Sequence, residues 1–173
     1  MTNYKKLLKN INTFIFDYDG VFTSGTLIMM MEGEPLRTAY VKDGYAIQLA
    51  AKKGYNIVII SGGKSETINN RFTALKIKDV FIGAENKVKI FNDYIKKHNI
   101  KTENTLYMGD DIPDYEVMKK AGLPCCPSDA SEEIKSISKY ISDKKGGEGC
   151  VRDIIEQVLK IQGKWMNDDA YNW

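Results

Sequence analysis

Short apolar runs alternate along this chain with longer segments in which apolar residues recur at helical spacing. Continuous apolar runs of this length are typical of strands that are buried on both faces of a sheet. Strands are predicted at 12–17, 55–60, 79–82 and 105–108, and further short segments surround Pro124 and Tyr140. Helices are predicted at 44–53, 65–75, 86–98 and 148–161, and another starts at Pro113 and ends near Ala121.

This alternation predicts βαβ units and therefore an α/β fold with a Rossmann-like, doubly wound and mainly parallel sheet. Segments 25–31 and 36–41 flank a Glu-Gly-Glu-Pro turn, which predicts a small β-hairpin flap at about 25–41. The length of 173 residues predicts one domain spanning 1–173, with a polar tail at about 163–173.

Composition narrows the class of protein. Apolar residues make up 43% of the chain and charged residues 28%, as in ordinary globular proteins. Lys and Arg number 25 against 23 Asp and Glu, and a net charge of +2 gives no support for a nucleic-acid or membrane partner. Three cysteines without metal-ligand spacing, and the lack of a signal-like or membrane-length apolar run, favour a cytoplasmic protein.

Candidate chemistry lies where three of the predicted strands end. The polar residues at these ends are Asp17, Asp19, Ser61, Asp110 and Asp111, accompanied by Gly62 and Gly63. Ligands of open parallel sheets bind beyond the carboxyl ends of the strands, so these residues are expected to converge. Several carboxylates in one cleft require a cation, and oxygen ligands of this kind suit Mg²⁺.

A phosphate is the ligand expected beside that cation. Ser61 places a hydroxyl at a strand end, just before a helix whose N-terminal N–H groups favour an anion. Lys87 opens another helix and supplies a positive charge. Each feature also has a plainer interpretation. Ser61 is also consistent with a simple helix cap, and Lys87 with a surface lysine at a helix start. Asp17 and Asp19 are also consistent with a turn.

In their order along the chain these motifs resemble the haloacid dehalogenase superfamily of phosphotransferases. The resemblance implies that Asp17 attacks phosphorus and that Asp19 serves as acid and then base. It implies that Mg²⁺ binds Asp17, the backbone carbonyl of Asp19, and Asp110. Further implied roles are phosphate contacts for Ser61 and Lys87, and orientation of the metal shell or Lys87 by Asp111 and Asp114.

The short intervals between the motifs leave no room for a cap domain. In this respect the chain resembles the capless phosphatases of 3-deoxy-D-manno-octulosonate 8-phosphate, which are homotetramers whose neighbouring subunits complete each site. The resemblance implies a phosphorylated sugar acid as substrate and a step in lipopolysaccharide biosynthesis. The segment around Lys42, Asp43 and Gly44 would touch the sugar acid, with Gly62 and Arg71 also binding substrate, and 146–152 matches a Gly-Gly-x-Gly-x-x-Arg segment of that family.

Gln48 and Gly63 depart from the pattern, because octulosonate phosphatases tend to carry arginine at both positions. A nonulosonate (sialic-acid-like) 9-phosphate is therefore an alternative substrate. A non-catalytic scaffold on the same fold and a phosphotransferase or mutase are alternative functions. Arg71 is also consistent with an arginine on the surface of a helix, and Asp114 with a carboxylate at a helix start. The glycines at 146–149 are also consistent with a flexible turn. Trp165 and Trp173 in the tail are candidates for a subunit contact or a neighbour's site.

Overall fold

A computed structural model describes residues 3–171, in which six parallel strands form one sheet. The strands are β1 (Thr13–Phe16), β2 (Asn56–Ile60), β3 (Asp79–Phe81), β4 (Thr105–Met108), β5 (Leu123–Cys126) and β6 (Tyr140–Ile141), in the spatial order β3-β2-β1-β4-β5-β6. Every pairing in this sheet is parallel. The predicted α/β, Rossmann-like class is confirmed, and the sheet is wholly rather than mainly parallel within the described residues.

Helices cover both faces of the sheet. They are α1 (Tyr4–Leu8), α2 (Val41–Lys52), α3 (Glu66–Ala74), α4 (Lys87–Lys97), α5 (Tyr115–Met118), α6 (Glu132–Ile137) and α7 (Cys150–Ile161). Side chains alternate across each strand, so Phe14 and Phe16 pack with α1, α2, α3 and α7, whereas Ile15 packs with α4, α5 and α6. Two buried cores result, which explains why the central strands β1, β2 and β4 are apolar at every position after the first.

The predicted elements differ from the observed ones mainly at their ends. Helix α2 begins at Val41 rather than at Gly44. The glycine lies inside the helix, where a Cβ would come within 3.2 Å of the Arg71 guanidinium. The helix after Pro113 ends at Met118 and not near Ala121, and a 3₁₀ turn over Ile112–Asp114 precedes it. Helices α1 and α6 were not predicted, since five and six residues are too few to establish a helical period.

The flap at 25–41 is less regular than the predicted hairpin. Its two arms meet in a single antiparallel bridge, in which Ile28 and Leu36 exchange both backbone hydrogen bonds at 3.0–3.1 Å. Several apolar side chains of the flap are exposed to solvent: Leu27, Ile28, Met29, Met30, Met31 and Leu36. The arms therefore approach each other as expected but do not form a ladder of regular strands.

The tail packs against its own chain. The guanidinium of Arg152 lies 4.7 Å from the Trp165 ring centre, and the Tyr45 hydroxyl donates a hydrogen bond to the carbonyl of Ala170. A 3₁₀ turn spans Asp168–Tyr171, whereas Trp173 lies outside the described residues. Among residues 3–171, no helix has both the length and the apolar character needed to span a bilayer.

Candidate active site

A cavity of about 540 Å³ opens where β1, β2 and β4 end, and we call it the carboxylate cavity. Phe16 pairs with Met108 in the sheet, and the backbone N–H of Asp17 donates to the Met108 carbonyl at 3.0 Å, so the segments that follow β1 and β4 lie side by side. The sequence-predicted residues that line the cavity are Asp17, Asp19, Ser61, Gly62, Lys87, Asp110, Asp111 and Asp114. The parallel register thus brings together residues that are up to 97 positions apart in the chain.

Lys87 joins two of these carboxylates. Its Nζ lies 2.9 Å from Oδ1 of Asp17 and 2.8 Å from Oδ1 of Asp114, and all three side chains are largely buried. The lysine is the first residue of α4, and the side chain of Asn86 caps that helix by accepting the N–H of Lys89. The helix start therefore fixes where the positive charge enters the cavity.

The buried carboxylates outnumber the buried cation. Burial raises the pKa of Asp17, and the negative charge of Asp114 adds to the rise, while Lys87 opposes it. Burial, with Asp114 and Asp111, raises the pKa of Asp110 to about 7. Burial favours the neutral form of Lys87, but Asp17 and Asp114 outweigh it and raise the pKa of the lysine. The protein alone therefore leaves the cavity short of positive charge.

The donor set fits a hard divalent cation such as Mg²⁺. Asp17, Asp110 and Asp114 each offer a carboxylate oxygen within 4.8 Å of the others. Asp114 also accepts hydrogen bonds from Lys87 and Tyr107, which leaves Asp17 and Asp110 as the better placed carboxylates for an ion. Gly20 makes the close approach possible, because its φ is +84° and a Cβ there would lie 2.0 Å from Oδ2 of Asp110.

Asp19 is held from the side of the flap. Arg37 donates from Nε to Oδ1 of Asp19 at 2.8 Å, and the Thr23 hydroxyl donates to the same oxygen at 3.2 Å. Sequence reasoning did not single out Arg37. The feature of the sequence that could have identified it is that Arg37 is the one basic residue between positions 25 and 41.

The loop after β2 lines the cavity with Ser61, Gly62 and Gly63. Oγ of Ser61 accepts the backbone N–H of Gly63 at 3.1 Å, and the serine backbone is anchored to Phe81 of β3 at 2.8 Å. Helix α3 follows, with Ser65 as its N-cap. The Ser65 hydroxyl also donates to Glu34 of the flap, so the flap docks on the start of α3.

The remaining predicted substrate residues, Lys42, Asp43, Gly44 and Arg71, do not line the carboxylate cavity. They gather around the first turn of α2. Asp43 is buried and accepts the backbone N–H of Arg152 at 2.7 Å, and burial raises the pKa of Asp43 to about 6. Within the described chain, Oδ2 of Asp43 and Nε of Arg71 are buried without a hydrogen-bond partner.

The glycine segment before α7 packs against the loop that follows β1. A Cβ at Gly146 would lie 1.9 Å from the carbonyl oxygen of Gly20, and one at Gly147 would lie 2.7 Å from the backbone of Thr23 and Ser24. Gly147 and Gly149 also have φ values of +69° and +103°. Close packing against the loop that follows β1 therefore accounts for Gly146 and Gly147, and the positive φ accounts for Gly149, so the segment is more than a flexible turn.

Three kinds of comparison relate this chain to known proteins. A family model described as haloacid dehalogenase-like hydrolase matches residues 79–154. The 3-deoxy-D-manno-octulosonate 8-phosphate phosphatase of Salmonella typhi is 36% identical over 90% of this chain and 83% of its own length. The corresponding Yersinia pestis protein is 30% identical over 90% of this chain and 83% of its own length.

Solved structures agree with these matches. The 3-deoxy-D-manno-octulosonate 8-phosphate phosphatase of Moraxella catarrhalis, in complex with a magnesium ion, a phosphate ion and a KDO molecule, superposes with a TM-score of 0.91 and 31% identity. The match covers 99% of this chain and 97% of the Moraxella chain. A putative phosphatase of the same name from Vibrio cholerae has a TM-score of 0.91 and 33% identity, covering 96% and 93% of the two chains. This chain belongs to the haloacid dehalogenase-like phosphatases, in the family of the 3-deoxy-D-manno-octulosonate 8-phosphate phosphatases.

Proposed function

We propose that this protein is a Mg²⁺-dependent phosphatase that hydrolyses 3-deoxy-D-manno-octulosonate 8-phosphate in the cytoplasm, as a step of lipopolysaccharide biosynthesis. The observation that carries the proposal is the convergence of Asp17, Asp19, Lys87 and Asp110 in one cavity. The names of the relatives support the substrate, and the magnesium, phosphate and KDO bound to the Moraxella protein support the ligand classes.

In the proposed reaction Asp17 is the nucleophile. One of its carboxylate oxygens forms a bond to phosphorus as the bond between phosphorus and the ester oxygen breaks, and Asp19 gives its proton to the departing alcohol. In the second step water attacks the aspartyl phosphate, Asp19 takes the proton of that water, and Asp17 is released with inorganic phosphate. Lys87 keeps the Asp17 carboxylate oriented through its contact at 2.9 Å.

The remaining residues of the cavity would hold the phosphoryl group. Ser61 and Lys87 line the cavity, as does Gly62, and their donor groups would stabilise the charge that develops on the phosphoryl oxygens. Mg²⁺, held by Asp17, Asp110 and the backbone carbonyl of Asp19, would offset the negative charge between nucleophile and phosphate. Asp114 orients Lys87 through the hydrogen bond at 2.8 Å, and Asp111 is assigned to orienting the metal shell.

We assign sugar-acid binding to Lys42, Asp43, Gly44 and Arg71, together with Gly62 in the cavity. The first four do not line the cavity of their own chain, so this assignment is linked to a homotetramer in which neighbouring subunits complete each site. The exposed apolar side chains of the flap support such contacts, since apolar surface of this kind is typical of interfaces. We also propose that 1–173 is one domain with a flap at about 25–41. Size-exclusion chromatography with light scattering tests the tetramer, and a monomer at micromolar concentration would contradict it.

A nonulosonate 9-phosphate is the second candidate substrate. Gly63 lines the carboxylate cavity, and Gln48 is buried in α2, at two positions where octulosonate phosphatases tend to carry arginine. Without those arginines the pocket offers less positive charge to a sugar carboxylate. A longer sugar acid that reaches other cations is therefore a reasonable alternative.

Phosphate release from a panel of sugar phosphates, measured with Mg²⁺ and with EDTA, tests both candidates. The panel includes octulosonate 8-phosphate and nonulosonate 9-phosphates, and the largest kcat/KM identifies the substrate. Asp17→Asn should lower kcat by a factor of about 10³ or more, since the nucleophile is lost. Asp93→Asn is the matched control, because Asp93 is exposed and pairs with Lys89 on α4. Turnover that survives in Asp17→Asn, or no Mg²⁺-dependent release from any ester, would contradict the proposal, and the latter result would favour the scaffold function.

A further inference from the structure

Arg37 of the flap pairs with Asp19, the residue to which we assign proton transfer. The Nε–Oδ1 distance is 2.8 Å, and only 11% of the arginine side chain is exposed. Nη1 of Arg37 also donates to the Pro35 carbonyl at 3.4 Å. Exposed ion pairs are mobile and contribute little, whereas a shielded arginine with two acceptors keeps one geometry. The pair is therefore able to fix the orientation of the Asp19 carboxylate.

Thr23 donates to the same oxygen of Asp19. Its hydroxyl accepts the backbone N–H groups of Gly20 at 3.3 Å and of Gly25 at 3.2 Å. Both lone pairs of the hydroxyl are thus used, so its single proton is directed at Oδ1 of Asp19, 3.2 Å away. Oδ1 is consequently held by two donors, one from the loop after β1 and one from the flap.

The second oxygen of Asp19 faces the phosphate-binding loop. A Cβ built on Gly63 would lie 3.6 Å from Oδ2 of Asp19 and 3.3 Å from Oγ of Ser61. The carboxylate therefore has one oxygen anchored at the cavity wall and the other turned toward the place where a phosphoryl group would bind. Proton transfer to a leaving alcohol requires this kind of alignment.

We propose that Arg37 is a positioning residue of the reaction, and that its hold on Oδ1 directs Oδ2 of Asp19 to carry the transferred proton. The inference rests on the proposed phosphatase function. The Ile28–Leu36 bridge joins the two arms of the flap, and the bond from Ser65 to Glu34 attaches the flap to the start of α3. Docking of the flap and alignment of the general acid are therefore coupled through Arg37.

Two aryl phosphates separate this role from substrate binding. Phenyl phosphate has a poor leaving group that needs a proton as the P–O bond breaks, whereas p-nitrophenolate leaves without one. Neither ester carries a carboxylate, so neither reports on recognition of the sugar acid. The quantity to compare is kcat/KM, because it covers only the steps up to the release of the phenol, before water attacks the phosphorus of the aspartyl phosphate.

Arg37→Gln should lower kcat/KM for phenyl phosphate by about 10- to 100-fold, which is part of the roughly 10²- to 10⁴-fold that general acid catalysis contributes. The same variant should change kcat/KM for p-nitrophenyl phosphate less than about threefold, and Arg37→Lys should recover part of the loss for phenyl phosphate, since an ammonium group can still donate to Oδ1. Thr23→Val, which removes the other donor, should show the same dependence on the leaving group. Glu32→Gln is the flap control and should leave both values unchanged.

Three results would overturn the inference. Equal losses with both aryl esters would mean that Arg37 only supports the structure of the flap. Unchanged aryl ester hydrolysis with a raised KM for octulosonate 8-phosphate would mean that Arg37 binds the substrate carboxylate. No effect on any ester would mean that the ion pair has no role in the reaction. Failure of the proposed function is a separate outcome, because the wild-type protein would then hydrolyse none of these esters.

Discussion

The hydroxyl of Tyr107 donates a hydrogen bond to Oδ1 of Asp114 at 2.7 Å, and Lys87 donates to the same oxygen at 2.8 Å. Tyr107 lies in the central strand β4 and is completely buried, as is Asp114 apart from 1% of its surface. Since Lys87 also contacts Asp17 at 2.9 Å, the tyrosine is linked through two side chains to the proposed nucleophile. Strand β4 thus supports the proposed nucleophile through the hydrogen bonds of Tyr107 and Lys87 to Asp114.

Tyr107→Phe should lower both stability and activity. Loss of a hydrogen bond to a buried carboxylate should reduce the free energy of unfolding by about 1.5 kcal/mol. Less constraint on Asp114 and Lys87 should lower kcat by about tenfold, as is common when a partner of a catalytic group is removed. Urea unfolding and steady-state kinetics measure the two effects.

Tyr94→Phe is the matched control for that experiment. The Tyr94 hydroxyl donates to Asp79 at 2.9 Å, and Tyr94 is 3% exposed, but neither residue lines the carboxylate cavity. The control should lose about 1 kcal/mol of stability and keep its kcat. Equal losses of kcat in the two variants would show that the tyrosine in β4 has no special link to the reaction.

Gly20→Ala should disturb the metal-binding carboxylate, and Gly54→Ala should not. The two glycines have nearly equal φ values of +84° and +85°, so an alanine is strained at both positions by about 1 kcal/mol. At Gly54 the added Cβ meets no atom within 4 Å, whereas at Gly20 it would lie 2.0 Å from Oδ2 of Asp110. We therefore expect only Gly20→Ala to raise the Mg²⁺ concentration needed for half-maximal activity.

Titration of activity with Mg²⁺ measures that requirement, and urea unfolding measures the strain at the two glycines. A shift of about tenfold or more in the Gly20 variant would match the loss expected when a metal ligand is misplaced. The same Mg²⁺ requirement in wild type and in both variants would contradict a role for Asp110 in holding the ion.

The fold was predictable wherever an element was long enough to carry a pattern. After their first residues, strands β1, β2 and β4 appear in the sequence as unbroken apolar runs, because helices bury both faces of the sheet. Strand β6 has two residues, and the flap has a single bridge, so neither has a period from which its bounds could be derived. Gly44 was predicted as the first residue of its helix, whereas it lies inside α2, where a Cβ would come within 3.2 Å of the Arg71 guanidinium.

The site was predictable as far as its residues follow strands directly. Asp17, Ser61 and Asp110 lie one or two positions beyond β1, β2 and β4, and a parallel sheet necessarily brings such positions together. Tyr107 was not identified as a site residue, because inside an apolar strand its hydroxyl gives no sequence signal, and its partner is seven residues away. Arg37 was missed because the path of an irregular flap does not follow from local sequence.

Truncation after Gly163 should destabilise the protein without affecting aryl phosphate hydrolysis. It removes the contact of Trp165 with Arg152 and the hydrogen bond between Ala170 and Tyr45, which together pack the tail on α2 and α7. The loss of a partly buried aromatic side chain should lower the free energy of unfolding by about 2 kcal/mol. None of these residues lines the carboxylate cavity, so kcat/KM for p-nitrophenyl phosphate should stay the same.

The same truncation tests whether the tail reaches a neighbouring subunit. A raised KM for octulosonate 8-phosphate, or a smaller oligomer in light scattering, would indicate a role in a neighbour's site or a subunit contact. Trp165→Ala serves as the comparison, because it removes the ring that contacts Arg152 and keeps the rest of the chain. Unchanged stability in both variants would show that the observed packing contributes little.

Without metal, stability should fall as pH rises from about 4 to 7. Burial raises the pKa of Asp110 to about 7 and that of Asp17 above its usual range, so the folded protein binds protons that the unfolded chain has already released. Stability decreases with pH wherever the folded state binds more protons than the unfolded state. In EDTA, the unfolding temperature should therefore be lower at pH 8 than at pH 5.

Mg²⁺ should oppose this fall, because the ion binds the ionised carboxylates of the folded state and so stabilises it most where those groups are deprotonated. The difference in unfolding temperature between Mg²⁺ and EDTA should thus grow from pH 5 to pH 8. Burial raises the pKa of Asp43 to about 6, but Asp43 is not among the proposed metal ligands. Its contribution to the loss of stability with rising pH should therefore be the same in Mg²⁺ and in EDTA. Asp110→Asn provides the decisive comparison, since it removes one proton-binding ligand and should shrink both the effect of Mg²⁺ and its growth with pH. An Mg²⁺ effect that is constant across this range would show that the raised pKa values of the cavity carboxylates are not linked to metal binding.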